Sequence, residues 1–358
     1  MHGAAWPSIV IFTYRRHPLV RRIAEYYHGY EGELIVVDGS PEPIAGLQLP
    51  ARGQYVHRPG MSGYSRIHDG IMRATAPTCA LAADDDFQSP DCLRGCAEVI
   101  ESDPGVVCAA GTTVYFADGR RSVRDAVPDG AVERILAVPG DAPPLDRFRR
   151  TIACAPQVYF ACIRTSAARK VSGFLADLPD EGGLVGEQLW TSLPALFGRT
   201  VLVPRMQMCR RIGLRDYSGY LQPFKRLDDL ADWPHFGTYG RRLAMLARDA
   251  GLGADDAERV VTSWREFAAA TALGERARRA AQPSDAGSRI RRTARNLLQS
   301  AGVAVSPPAW RDRLERTICR GRAMRPVLRS RAYPWSDAAA RTEFERIMAF
   351  DAHHAERA

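Results

Sequence analysis

The sequence predicts an α/β protein with a mostly parallel sheet flanked by helices and a helical C-terminal region. Short apolar runs alternate with amphipathic segments in the first third of the chain, which is typical of βαβ units. Polar turn residues follow several of these runs. They would lie at the carboxyl ends of the strands, which is where parallel sheets bind ligands. Beyond Tyr220 the pattern is helical. The 358 residues, 46% hydrophobic and 25% charged, suffice for a substantial core.

The elements of the first half follow in order. β-branched and apolar runs predict strands at residues 8–13, 33–38, 54–57, 78–83 and 106–110. Amphipathic spacing predicts helices at 17–27, 64–74 and 90–102. Pro18 suits a first helical turn, and Ser89 precedes Pro90 as an N-cap. Residues 111–116 either continue the fifth strand or start a hairpin.

The second half is less regular. Residues 118–144 are rich in Gly, Pro and Asp and are expected to form a loop or lid. A strand and a helical turn are expected from Gln157, then a helix at 186–197 and a strand at 200–204. Further helices are expected at 255–281 and 336–355, with a linker at 282–287. We therefore predict an α/β domain at 1–220 and a helical, Arg-rich region at 221–358.

Three consecutive carboxylates, Asp84, Asp85 and Asp86, follow the strand at 78–83. Charges this close repel each other and need compensation. Mg²⁺ or Mn²⁺ could bridge carboxylate oxygens and ligand phosphates. Residues two apart in an extended segment point the same way, so Asp84 and Asp86 would act together. The alternative is an acidic turn that stabilises the next helix through its dipole.

Four segments, in this order, resemble GT-A glycosyltransferases of the family 2-like, D-x-D type. They are SIVIFTYRR, LIVVDGS, GMSGYSRIHDGIMRATAPTCALAADDD and RKVSGFLADLPDEGGLVGEQLWTSL, and the resemblance covers roughly residues 8–205. It implies a GT-A, Rossmann-like catalytic domain at 1–220 that binds a nucleotide-sugar and an acceptor. It also implies a nucleoside-diphosphate sugar as donor, most often a UDP sugar, with Mn²⁺ or Mg²⁺ as cofactor.

The resemblance implies nucleotide contacts for residues near the first strands. Thr13 and Tyr14 would lie beside the base, Asp38 would bind base or ribose, and Arg66 would reach the base or diphosphate. His68 stands where the family often has Asn, and it would contact the donor.

These residues also have plainer interpretations. Asp38 could start a turn before Gly39, and Arg66 could lie on a solvated helix face. His68 could be a surface or capping residue.

The resemblance gives the acidic triplet two roles. Asp84 would bind ribose or the metal, and Asp86 would be a metal ligand. Asp85, which lies between them, is expected to be a nucleotide-binding residue. The metal would offset the charge that develops on the departing nucleoside diphosphate.

The candidate catalytic base departs from the family pattern. Where the family usually has Glu-Asp, this chain has Glu187 and Gln188. An inverting transfer needs a carboxylate to deprotonate the acceptor hydroxyl, and glutamine cannot do so. We expect Glu187 to be the base, with Asp180 and Glu181 in reserve. The alternative for Glu187 is a first-turn helix acid stabilised by the dipole.

Positive charge is concentrated in residues 275–332, where fifteen Arg and four acidic residues give +11, against +8 for the whole chain. Arginine mixed with Trp and Leu suits an anionic membrane surface. An anionic glycan, nucleic acid or plain solvent exposure are the alternatives. Of these, we expect that nucleic acid is not a partner.

The N-terminus lacks a signal-peptide layout and no apolar run reaches ~18–20 residues. We expect a cytoplasmic protein, with peripheral association at the inner membrane face as a further hypothesis.

The expected activity is metal-dependent, inverting sugar transfer to a glycan or lipid-linked acceptor in bacterial surface polysaccharide synthesis. One rival is a nucleotidyltransferase, against which the glycine-free turn TYRRHP counts. The other rival is a degenerate GT-A binding or scaffold subunit, which Gln188 favours.

Overall fold

A central sheet organises the residues that the computed structural model describes, namely 6–117, 127–128, 141–152, 156–178, 183–212, 235–280 and 338–355. Its strands are β1 (Ser8–Thr13), β2 (Leu34–Asp38), β3 (Gly53–His57), β4 (Thr78–Ala82), β5 (Phe87–Gln88), β6 (Val106–Ala117), β7 (Val127–Pro128), β8 (Cys162–Arg164) and β9 (Arg199–Ile212). They lie in the order β3-β2-β1-β4-β8-β6-β9-β5, and β7 pairs with β6.

Helices cover both faces of this sheet. They are α1 (His17–Tyr26), α2 (Gly63–Arg73), α3 (Pro90–Ser102), α4 (Pro144–Ile152), α5 (Thr165–Leu175), α6 (Gly183–Ser192), α7 (Pro194–Phe197), α8 (Phe236–Asp249), α9 (Ala254–Ala280) and α10 (Ala338–Ala355). A 3₁₀ turn spans Pro156–Phe160. Within the described ranges, no helix combines the length and apolar character that crossing a membrane requires.

The two faces of the sheet carry separate hydrophobic clusters because side chains alternate along each strand. Ile9 and Ile11 point to the face covered by α1, α3 and α10, where Phe344 is fully buried. Val10 points to the face covered by α2, α5, α8 and α9, where Trp264 is fully buried. The described helices beyond residue 220 therefore complete the core on both sides.

The predicted α/β class is confirmed. The strands β3, β2, β1 and β4 are parallel, as are β6 and β9. Antiparallel pairs occur where β8 lies between β4 and β6, and where β5 meets β9. The β6 strand continues through residues 111–116, and β9 runs well past its predicted end because the two strands pair along most of their length.

Serine side chains cap the N-termini of α2 and α3. Ser89 accepts a hydrogen bond from the amide of Cys92 and Pro90 opens α3, which confirms the predicted N-cap. Ser62 accepts a hydrogen bond from the amide of Ser65 and starts α2.

Three predicted segments lie outside the described residues. They are the linker at 282–287, most of the loop at 118–144 and most of the Arg-rich stretch at 275–332.

A buried carboxylate joins elements at the opposite edge of the sheet. Glu33 accepts hydrogen bonds from the Ser8 hydroxyl at 2.5 Å and the Thr75 amide at 2.8 Å. The Thr75 hydroxyl and Arg52 also contact it. Burial alone would raise the pKa of Glu33, but these hydrogen bonds and Arg52 together lower it below its ordinary value.

We expect Glu33→Gln to lower the free energy of unfolding at pH 7 by about 2 kcal/mol, because hydrogen bonds to a charged acceptor are lost. A carboxyl whose pKa is lowered by folding stabilises the protein above its unfolded pKa. The difference should therefore shrink as the pH falls below the ordinary value of 4.5. Urea unfolding across this range would test it, with exposed Glu42→Gln as control. A difference that is independent of pH would contradict the assignment.

Candidate active site

The sheet register brings the predicted nucleotide-binding residues to one edge. Thr13 pairs with Asp38 at the ends of β1 and β2, and Ile11 pairs with Ala82 at the end of β4. Asp84 lies two residues beyond Ala82, and its Oδ2 accepts a hydrogen bond from the Thr13 hydroxyl at 2.7 Å. The carboxyl ends of three neighbouring strands thus meet around Asp84.

Arginines compensate the acidic triplet. Arg16 Nη1 donates to Asp84 Oδ1 at 2.8 Å and to Asp85 Oδ2 at 2.9 Å. Arg210 Nε lies 3.3 Å from Asp86 Oδ2. The side chains of Asp84 and Asp86 are 6% and 4% exposed, whereas that of Asp85 is 32% exposed. Asp84 and Asp86 are therefore buried in the fold, and Asp85 faces solvent in part.

An unusual backbone conformation leads into Arg16. Arg15 has φ 57°, in the left-handed region that residues other than glycine seldom adopt. Its amide donates to the Ser40 hydroxyl at 2.7 Å, which ties the turn after β1 to the turn after β2. The guanidinium of the next residue, Arg16, faces the triplet.

Strand pairing places Arg210 opposite Asp86. In the antiparallel pair of β5 and β9, Phe87 is opposite Cys209. The next position along each strand is Asp86 on one side and Arg210 on the other, and their side chains form the ion pair. The guanidinium of Arg210 also lies 5.6 Å from the ring centroid of Phe160.

Glu187, in α6, lies within electrostatic range of Arg210. Burial raises the pKa of Glu187 above its ordinary value, and the positive charge of Arg210 offsets part of this increase. Tyr64 is also close enough to interact electrostatically with Glu187. The neighbouring Gly186 packs against the Tyr64 ring, where an added Cβ would lie 2.0 Å from Tyr64 Cζ. Arg210, the ion-pair partner of Asp86, is therefore also within electrostatic range of the predicted base.

Asp38 is fully buried and its oxygens are engaged within the fold. Oδ1 accepts from the Ser40 amide at 2.8 Å, and Oδ2 accepts from the Tyr55 hydroxyl at 2.7 Å. His17 Nε2 lies 3.6 Å from Oδ2. This is the geometry of the turn-starting interpretation, and a nucleotide contact by Asp38 stays a prediction.

Tyr14 and Arg66 lie together beside the turn after β2. Tyr14 is 38% exposed, and the Arg66 guanidinium carbon is 5.6 Å from its ring centroid. Arg66 is buried against Gly39, where an added Cβ would lie 1.7 Å from Arg66 Nη1, so a larger residue at position 39 would displace this guanidinium. The alternative of a solvated face for Arg66 is wrong. His68 Nδ1 lies 3.0 Å from the Ser172 hydroxyl oxygen in α5, and a contact between His68 and the donor stays a prediction.

Arg16 and Arg210 were missed by sequence reasoning. Arg16 lies in the quoted segment SIVIFTYRR, and the need to compensate the triplet was the available signal. Arg210 follows Cys209 in a strand whose predicted end was too early, so no local signal marked it. The reserve bases Asp180 and Glu181 lie outside the described residues.

The carboxyl groups at this edge fit a divalent cation that a ligand helps to hold. Among the described residues, no three His, Cys, Asp or Glu side chains are grouped to bind a metal by themselves. Asp84, Asp85 and Asp86 form ion pairs with Arg16 and Arg210, and Glu187 lies within electrostatic range of Arg210; these four acids and two arginines leave an excess of two negative charges when all are ionised. Magnesium sites often use one or two carboxylates completed by ligand phosphates, and Asp86 with Asp84 meets that description.

Comparisons with known proteins identify the fold. No protein-family model and no curated protein matches the chain. Among solved structures, residues 1–349 of S. aureus TarS in complex with UDP-GlcNAc match with a TM-score of 0.51 and 13% identity, over 73% of this chain and 71% of that chain. The mannosyltransferase PcManGT from Pyrobaculum calidifontis, in complex with GDP-Man and Mn²⁺, matches with a TM-score of 0.41 and 14% identity, over 83% of this chain and 81% of that chain.

The likeness to TarS shows a shared architecture at low sequence identity. The chain therefore has a glycosyltransferase fold of the GT-A type, as the resemblance of its sequence implied.

We expect Arg210→Gln to raise the pKa of Glu187 further, because a nearby positive charge that favours the carboxylate is removed. Carboxyl ¹³C NMR titration of protein labelled at Glu would measure this, with Glu187→Gln to assign the resonance. Arg199→Gln is a matched control, because Arg199 lies in the same strand but pairs with Asp103. An unchanged titration of Glu187 in the Arg210 variant would contradict the electrostatic interaction between the two residues.

Proposed function

We propose that this chain is a metal-dependent, inverting glycosyltransferase that moves a sugar from a nucleoside-diphosphate sugar to an acceptor hydroxyl. One observation carries the proposal: Arg210, which forms an ion pair with Asp86 at the carboxyl edge of the sheet, also lies within electrostatic range of Glu187, far away in sequence. The fold supports it, because TarS, which shares that fold, is in complex with UDP-GlcNAc.

The donor nucleotide would lie along the ends of β1, β2 and β4. The partly exposed ring of Tyr14 offers a stacking face for a base, and Arg66 beside it offers positive charge. Thr13 lies at the same edge, and Asp84 and Asp85 would accept hydrogen bonds from ribose. UDP is the nucleotide we expect, on the resemblance alone.

The cation would be Mn²⁺ or Mg²⁺, held by Asp86 and Asp84 together with diphosphate oxygens. When bound, it supplies positive charge that stabilises the departing nucleoside diphosphate. Burial raises the pKa of Asp84 above its ordinary value although Arg16 opposes this, so the carboxylate is costly to ionise without a further positive charge.

Glu187 would act as the general base. It accepts the proton of the acceptor hydroxyl while that oxygen forms a bond to the anomeric carbon. The bond from the anomeric carbon to the diphosphate oxygen breaks, and its electron pair leaves with the diphosphate. Attack from the opposite face inverts the anomeric configuration. The raised pKa of Glu187 suits this role, because a base nearer the working pH accepts protons more effectively.

Acceptor recognition has a candidate in Gln188. Its side-chain oxygen is buried and finds no hydrogen-bond partner among the described residues. A second hydroxyl of a glycan acceptor would satisfy it. A glycan or lipid-linked acceptor, surface polysaccharide synthesis and membrane contact by the stretch at 275–332 remain proposals that rest on the sequence.

A second candidate function is a binding or scaffold subunit without turnover. The arginine compensation favours it, since Arg16 and Arg210 already make the triplet tolerable without a cation. Gln188 in place of the usual acid favours it too. Separate measurements of turnover and nucleotide binding distinguish the two functions.

We expect Glu187→Gln to lower kcat by about 10²–10⁴-fold, because the general base is lost, with little change in donor affinity. In the wild type, activity should fall as the pH drops through the raised pKa of Glu187. The acid limb should therefore lie above the ordinary value of 4.5. Release of nucleoside diphosphate would be followed against pH, with Glu98→Gln in α3 as control. Full activity in Glu187→Gln would show that another residue is the base.

We expect Asp86→Asn to abolish metal-dependent nucleotide binding, because a carboxylate ligand of the cation is replaced by a neutral amide. Calorimetry with UDP, GDP, CDP, dTDP and ATP, each with and without Mn²⁺, would measure this. Asp91→Asn, in the first turn of α3, is the matched control. If the wild-type protein binds none of these nucleotides with Mn²⁺, the scaffold function is favoured.

A further inference from the structure

The last described helix, α10, reaches the acidic triplet through one arginine. Asp351 Oδ1 accepts a hydrogen bond from Arg22 Nη1 at 2.9 Å, across 329 residues of sequence. Arg22 Nη2 in turn donates to the backbone oxygen of Asp85 at 3.1 Å. Arg22 thus joins the side chain of one helix to the main chain of the triplet.

This ion pair is buried. The side chains of Arg22 and Asp351 are 9% and 1% exposed. Removing one partner of such a pair leaves a charge without compensation in a poorly solvated place. The planar fork of donors on arginine allows one head group to hold both contacts, which a lysine cannot reproduce.

The main chain of the triplet depends on contacts of this kind. The β4 strand ends at Ala82 and β5 begins at Phe87, so residues 83–86 lie between two strands. Backbone groups in such a segment need partners from elsewhere in the fold. For the oxygen of Asp85, that partner is Arg22.

Aromatic packing holds α10 against the same segment. The Phe350 ring centroid lies 5.8 Å from that of Phe87, the residue that follows the triplet, and 5.5 Å from that of Tyr26. The Arg22 guanidinium carbon lies 4.9 Å from the Phe87 ring centroid. Phe344, on the same helix, is fully buried in the core.

We propose that Asp351 is a positioning residue for the nucleotide-binding site. By fixing Arg22, it holds the main chain at Asp85 and thereby the directions in which the carboxylates of Asp84 and Asp86 point. Asp351 itself touches neither substrate nor cation. The proposal rests on the proposed function for its effect on nucleotide binding, and the contacts alone carry its effect on the loop.

The test uses the full-length chain with Asp351→Asn, which keeps the shape of the side chain and removes its charge. Hydrogen–deuterium exchange without nucleotide should become faster in residues 83–88. Nucleoside diphosphate affinity with Mn²⁺, measured by calorimetry, should weaken about tenfold, the size of effect seen when groups supporting a ligand shell are lost. The pH profile of kcat should not move, because Glu187 is untouched.

Phe344→Leu is the matched control. It lies on the same helix and should lower the melting temperature, yet it should leave exchange at 83–88 and nucleotide affinity unchanged while the protein is folded. Arg22→Lys should reproduce the effect of Asp351→Asn, and the double variant should add little because both act through one contact.

Two results would overturn the proposal. One is unchanged exchange at 83–88 in Asp351→Asn, and the other is equal acceleration in Phe344→Leu, which would reduce the role of Asp351 to general stability. If the wild-type protein binds no nucleotide with Mn²⁺, the proposed function fails, and the exchange experiment still decides whether Asp351 positions the loop.

Discussion

Compensation of three adjacent carboxylates is the constraint on which the arrangement of this site depends. Asp84, Asp85 and Asp86 occupy a short segment between two strands, and two of them are almost completely buried. Buried charges of one sign are tolerated only with partners close by. Arg16 and Arg210 supply those partners from the turn after β1 and from β9, so the position of both elements is tied to the triplet.

The compensation is incomplete, and this gives the site its chemical character. Burial raises the pKa of Asp84 and of Glu187, which means that the fold bears a cost to keep these carboxyl groups ionised at neutral pH. A ligand that brings positive charge would lower that cost and gain affinity in return. Under the proposed function, this imbalance is what a cation-dependent ligand would relieve.

The C-terminal helices support this site by packing on the sheet that carries it. The helices α8 and α9 complete the core on one face of the sheet, and α10 completes it on the other. Through Asp351 and Phe350, α10 contacts Arg22 and Phe87, so the last described helix lies against the segment that carries the triplet. The division of the chain near residue 220 stays a prediction, but the two parts share hydrophobic clusters.

The sequence by itself determined the α/β class, the first four strands with their helices, the N-cap at Ser89 and the position of the triplet at a strand end. These features follow from the periodicity of neighbouring side chains and from local capping, so short segments are sufficient to predict them. The resemblance to GT-A enzymes singled out Glu187, which lies within electrostatic range of Arg210, and its role as the base stays a prediction.

Only the tertiary structure decided which arginines neutralise the triplet and which groups donate hydrogen bonds to the Asp38 carboxylate. Arg210 lies opposite Asp86 because β5 and β9 pair in one antiparallel register, and Arg22 meets Asp351 because α1 and α10 pack on the same face. Such contacts depend on the packing of distant segments. In a chain with 49 Lys and Arg residues, local sequence does not distinguish the few that are buried against acids.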